Sequence, residues 1–243
     1  MNRNDSGQGA RNWGLGVRGW GSGSLVALGC FLALSSLSYA GTQSTAGEQS
    51  HLRITVRVYN YAEVSRGTLV RAEEEASRMF GDAGVGMTWL DCPTFPADAE
   101  KYPACEPPLG AMGVDLRILP QAMAARVQSG KERLGFALPS TKAGSASAAW
   151  VFYHRVEQLA ESKDASAAQI LGHAVAHEIG HLLLGPNRHS SAGLMRADWG
   201  RAELQRASRG EMLFTIEQCG VIRAEVQARI TLQRAAVESA SVK

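Results

Sequence analysis

Apolar and polar residues alternate from His51 to Tyr61, with Leu52, Ile54, Val56 and Val58 on one side and Arg53, Thr55 and Arg57 on the other. A period of two predicts a half-buried β-strand. The period then changes. Leu69, Ala72, Ala76, Met79 and Phe80 recur at helical spacing behind Ser65, a good N-cap, and Gly81 and Gly84 close the run. Val85–Leu90 is short and β-prone. Pro93, Pro96, Pro103, Pro107 and Pro108 crowd the stretch 92–110 and predict a long loop there. Val114–Leu119 alternates again and stops at Pro120. A weakly helical stretch and a loop rich in Gly, Ser and Ala follow, and Ala148–Tyr153 is a further strand.

Ser166 and Gln169 have the spacing of a capping box, and the helix they open runs to Leu184, where Gly185 and Pro186 stop it. On that helix Leu171, Val175, Ile179 and Leu182 share one face, and His173, His177 and His181 share the opposite one. Thr215 and Gln218 repeat the capping-box spacing and predict a C-terminal helix to about Leu232. No internal repeat and no second-domain boundary interrupts the pattern. Strand, helix, three strands, helix, loop and helix make one α+β domain with its sheet packed on two helices.

Composition adds an address. The chain has 243 residues and a formal net charge of +2, all of it carried by the first 40 residues. The neutral remainder gives no electrostatic basis for binding nucleic acid or an anionic membrane. In the first 40 residues, arginines precede an apolar run from Leu25 to Leu37, and Ser38-Tyr39-Ala40 offers small residues before a cleavage point. These features predict a signal peptide over 1–40, a polar linker over 41–50 and a single catalytic domain over 51–243, exported and free of the membrane once the signal is removed. Export permits disulfides. Cleavage would remove Cys30. Of the remaining cysteines, Cys92 and Cys105 would close the proline-rich loop and leave Cys219 free, although other pairings remain open.

The candidate chemistry is H-E-I-G-H at 177–181. Histidines four apart lie one helical turn from each other, so His177 and His181 can reach a single metal ion. Glu178 lies about 100° around the helix, where its carboxylate reaches a neighbouring water rather than the ion. This is the arrangement of a zinc hydrolase with a glutamate general base. Two histidines do not complete the site. His189 is the leading third ligand, because Gly185 and Pro186 let the chain turn back; Glu203 is the competitor. His173 is expected to be structural or to line the cleft, His154 to end a strand, and Trp199 to wall a pocket or join the core.

The stretch 177–195 resembles the signature of the metzincins, particularly the matrixin-like branch. That family has H-E-x-x-H-x-x-G-x-x-H, then a Ser, then a Met in a tight turn beneath the zinc. Here the glycine, Gly185, comes one position late and the third histidine, His189, two positions late, with Asn187 where the family has its ligand. The resemblance implies His177, His181 and His189 as Zn2+ ligands, Glu178 as base and Met195 as the turn methionine. It implies a twisted, mostly parallel sheet of about four strands packed on an N-terminal helix and the active-site helix, followed by a C-terminal helix. By the same resemblance Ala148–Tyr153 is the edge strand that receives an extended peptide; the alternative for this segment is a core strand. The function to expect is a secreted zinc endopeptidase acting on peptides or proteins. The alternatives are a zinc amidase acting on cell-wall peptides and a non-catalytic, zinc-stabilised binding module.

Overall fold

The structure is a computed structural model. It describes residues 52–127, 133–141, 146–185 and 188–241. The predicted signal peptide and linker, Cys30, Pro186 and Asn187 lie outside the described residues.

Strand β1 (Arg53–Asn60) is followed by helix α1 (Arg66–Asp82), β2 (Gly86–Cys92), β3 (Gly113–Leu119), the single turn α2 (Gln121–Ala124), β4 (Gly135–Leu138) and β5 (Ser147–Phe152). Helices α3 (Tyr153–Ala160), α4 (Ala167–Leu184), α5 (Arg201–Ser208) and α6 (Ile216–Ser241) complete the chain. The sheet order is β2-β1-β3-β5-β4, parallel throughout except for β4, which runs antiparallel to β5. The fold is α+β with a mostly parallel sheet.

The alternation in each strand decides which face meets the helices. Ile54, Val56 and Val58 of β1, Val114, Leu116 and Ile118 of β3, and Ala149 and Val151 of β5 are buried in one core with α1 and α4. Helix α1 begins where Ser65 accepts a hydrogen bond from Thr68 N, and α4 begins in a complete capping box between Ser166 and Gln169. Gly172 lets the two helices close together. A Cβ there would lie 2.7 Å from Ala72 O and 2.8 Å from Glu75 Cβ.

Several expectations need correction. The sheet has five strands rather than about four. The extra one, β4, falls in the stretch predicted as weak helix and loop. It is four residues long and begins at a glycine, too short for an alternation to show. Ala148–Tyr153 is not the edge strand, because β5 lies between β3 and β4 and the edges are β2 and β4. Helix α4 is not amphipathic: apart from Ala167, Gln169 and His181 it is buried all round. The sheet and α1 cover one side, and Leu194, Met195, Met212 and Phe214 help cover the other, so a polar face was never needed. Tyr153 and His154 start α3 rather than end a strand, and α6 continues nine residues beyond Leu232.

Two further features frame the site. Helix α6 is tied across the molecule by Arg223, which donates to Ala83 O, and by Arg229, which donates to Leu182 O at the carbonyl-rich end of α4. On the outer face of the sheet, the loop after β2 is closed by the disulfide Cys92–Cys105, as the spacing suggested, and Cys219 is free. Arg57 donates from below to Pro107 O of that loop.

Candidate metal centre

Three imidazoles converge at the C-terminal half of α4. His181 Nε2 lies 3.1 Å from His177 Nε2 and 3.1 Å from His189 Nε2. His177 and His181 arrive from one helix, a turn apart. His189 comes from beyond Gly185, whose φ of 94° ends the helix in a conformation suited to glycine. The two extra residues before His189 therefore do not keep it from the site. Among the described residues, these three alone form a donor group able to hold a metal ion. Glu203 belongs elsewhere, since it accepts from Gly200 N at 3.0 Å and pairs with Arg196 at 3.3 Å.

The donor set fits zinc. Three nitrogens bound tetrahedrally at ~2.0–2.1 Å lie about 3.3 Å from one another, close to the observed spacing. The tautomer fits as well. His177 Nδ1 donates to Leu194 O at 2.9 Å, and a carbonyl can only accept, so His177 Nε2 keeps its lone pair for the centre. Converging lone pairs attract either a proton or a cation. Burial pulls His177 down to about 4, and burial together with His177 and His189 pulls His181 down to about 4, which leaves little place for the proton at neutral pH. The structure thus brings together three histidine donors of a kind that suits zinc, with no fourth His, Cys, Asp or Glu donor beside them among the described residues.

The floor of the centre is a turn. Gly193, with φ of 75°, bends the chain so that Leu194 O meets His177 while Met195 is fully buried beneath α4. A Cβ on Gly180 would lie 2.7 Å from Met195 Sδ, so that glycine admits the methionine under the helix. Leu194 N donates to Leu213 O at 2.9 Å and Ser190 N to Met195 O at 2.8 Å, closing the turn on both sides. Ser190 Oγ donates to Ala192 O and accepts from Gln218 Nε2 at 3.2 Å. Gln218 also completes the box that starts α6, because Thr215 N donates to its Oε1. The residue beside the third ligand is therefore fixed to the first turn of α6. The sequence pointed to Gln218 only as a cap.

Glu178 faces the free edge of the sheet. A Cβ on Gly135, the first residue of β4, would lie 2.9 Å from Glu178 Oε1 and would collide with Trp150 O. Burial pushes Glu178 up to about 8, and the positive charge of Arg133 opposes that rise. Neither Gly135 nor Arg133 stood out in the sequence. A glycine opening a short apolar run was the available signal, and it signifies close backbone approach only once the partner strand is known.

The remaining candidates are structural. His173 is fully buried, with Nδ1 2.8 Å from Gln169 O and Nε2 3.7 Å from Glu75 Oε1, and burial lowers its pKa. Trp199 stands edge-on to His177 and to His173, at 5.7 and 6.3 Å between ring centres, and donates to Arg196 O. It backs the first ligand. His154 is not part of the donor group.

No family model matches the chain, and no curated protein matches it. Among solved structures it is similar to a zinc-dependent peptidase from Methanocorpusculum labreanum, at 16% identity and a TM-score of 0.43, over 70% of this chain and 99% of that one. It is also similar to the archaemetzincin of Methanopyrus kandleri, at 12% identity and a TM-score of 0.39, over 72% of this chain and 96% of that one.

Proposed function

We propose that this chain is an exported zinc-dependent endopeptidase in which His177, His181 and His189 hold the ion and Glu178 is the general base. The observation that carries the reading is the convergence of three Nε2 atoms beside a buried carboxyl group at an unpaired sheet edge. Zinc bound there supplies a Lewis acid and lowers the pKa of water toward ~7. Glu178 takes the proton of the attacking water and passes it to the leaving amine. Burial raises its pKa in the metal-free chain, and the positive charge of a bound ion would favour the carboxylate form that a base requires. Leu194 O holds His177 in its ligating tautomer, and Met195 is buried in the turn beneath the centre, the place that the metzincin resemblance gives the turn methionine.

The substrate site follows from the corrected edge. β4 has one side paired to β5 and no strand on the other among the described residues. An extended peptide adding there would make main-chain hydrogen bonds and run close to Glu178, whose carboxyl group fills the space where a Gly135 side chain would stand. The apolar run after the N-terminal arginines and the disulfide Cys92–Cys105 support export. A purely structural zinc module would close all four positions with protein ligands and has no use for a base.

The test is direct. The mature chain is purified, its zinc measured, and a peptide library assayed with and without chelator. Zinc-dependent cleavage is expected, and Glu178→Ala should keep the metal and lose the activity. A wild type that binds no zinc, or a variant that cleaves as well as wild type, would end this reading.

A further inference from the structure

The free edge carries a charge that the hydrolytic chemistry does not use. Arg133 stands two residues ahead of Gly135, where β4 begins against Glu178, and so at most about 7 Å from it. It is anchored nearby, since Phe152 N donates to Leu134 O at 2.8 Å and holds the intervening residue in the ladder. Arg133 is exposed and has no ion pair among the described residues. It precedes the one β4 residue whose Cβ would meet the Glu178 carboxyl group, so it stands at the end of the free edge nearest the reacting position. A second exposed arginine, Arg188, immediately precedes the third ligand.

A guanidinium is a rigid fork of donors matched to a carboxylate. Beside a sheet edge that receives a peptide, it meets the side chains flanking the bond to be cut. We propose that Arg133 is a specificity-determining residue that selects peptides carrying a carboxylate within about two residues of the scissile bond, whether an Asp or Glu side chain or a free C-terminus. The proposal rests on the endopeptidase reading above. Arg133 does not touch the reacting atoms and is not a catalytic residue.

The zinc-loaded full chain is assayed on matched peptides carrying Asp, Asn or Lys at each position flanking the cleaved bond, with free and amidated C-termini. Asp, or a free terminus, is expected to raise kcat/KM about five-fold over its neutral counterpart at a flanking position, with the advantage shrinking in about 0.5 M salt. Arg133→Glu should reverse the order of preference, so that Lys peptides are cut faster than Asp peptides, each measured relative to the Asn peptide. With Glu178→Ala, which binds without cutting, acidic peptides should bind about five-fold tighter than neutral ones by fluorescence anisotropy. If the wild type cuts Asp and Asn peptides alike, or Arg133→Glu keeps the preference for Asp, the selection is absent although the peptidase reading stands. An equal loss on all peptides in Arg133→Ala, with a displaced acid limb of the pH profile, would mean that Arg133 serves Glu178 instead. Absence of cleavage in every peptide set removes the peptidase reading, and this inference with it.

Discussion

Glu178 is held at a cost to the fold. Its carboxyl group ionises near 4.5 in an unfolded chain and near 8 in its buried position. Between those values the unfolded state releases a proton that the folded state keeps, so stability falls as pH rises through this window and levels off above it. Glu178→Gln removes the titration. The metal-free variant should melt several degrees above metal-free wild type at pH 8, on the order of 2 kcal/mol, and the gap should close toward pH 4.5, as thermal melts at both pH values will show. His177 and His181 shift the other way. Their folded pKa of about 4 lies below the ordinary 6.5, so the stability they confer is present above 6.5 and is lost as pH falls toward 4. Subtracting the variant's curve from that of wild type isolates the glutamate. His189→Ala addresses the third ligand, and zinc affinity should fall by about 100-fold or more in a competition titration. Unchanged affinity would remove His189 from the centre.

At the scale of elements, the centre is a helix resting on a turn. Gly180→Ala would place a methyl group against Met195 Sδ and Phe214, at 2.7 and 3.0 Å, and must displace the turn that carries Leu194 O. A loss of ~1–3 kcal/mol in stability is expected from the overpacking, together with weaker zinc binding. Gln218→Ala leaves the core alone but frees Ser190 from α6. Zinc affinity should drop by about 10- to 100-fold, as for other groups that orient a ligand from behind, with a melting temperature close to wild type when both are metal-free. The local elements were legible in the sequence for local reasons. Ser65, Ser166 with Gln169, and Thr215 with Gln218 announce helix starts within four residues, and the spacing of His177 and His181 is a property of a single turn. β4 was not legible. Gly135–Leu138 becomes a strand through its pairing with Val151–Ala148, a partner ten or more residues away. The burial of α4 on every side was hidden for the same reason, because the segment that covers it lies beyond the site.

Across the whole molecule, the two sheet edges have separate duties. β4 borders the metal centre, whereas β2, at the far end of the order β2-β1-β3-β5-β4, carries the disulfide to its own loop. Removing that bond with Cys92→Ser and Cys105→Ser should lower stability by about 3 kcal/mol, the range for a loop of this length. Zinc affinity should stay as in wild type. A parallel loss of zinc would show that the two edges are coupled. The outer face between them holds a row that crosses four strands: Arg117 lies 5.4 Å from the ring centres of both Tyr59 and Trp150, and Trp150 stacks on Phe136 at 4.5 Å. No sequence period reveals such a row, since each member comes from a different strand and only the register aligns them.

The three proposed ligands, the proposed base and the buried methionine all fall between His177 and Met195, whereas the strand that would greet the substrate lies some forty residues earlier, at Gly135–Leu138. In the proposed reading, hydrolytic machinery and substrate reader are two separate words of the sequence, which meet where β4 packs against α4. An engineer could rewrite the reader, from Arg133 through Leu138 but sparing Gly135, and retarget the molecule without editing a letter of the machinery.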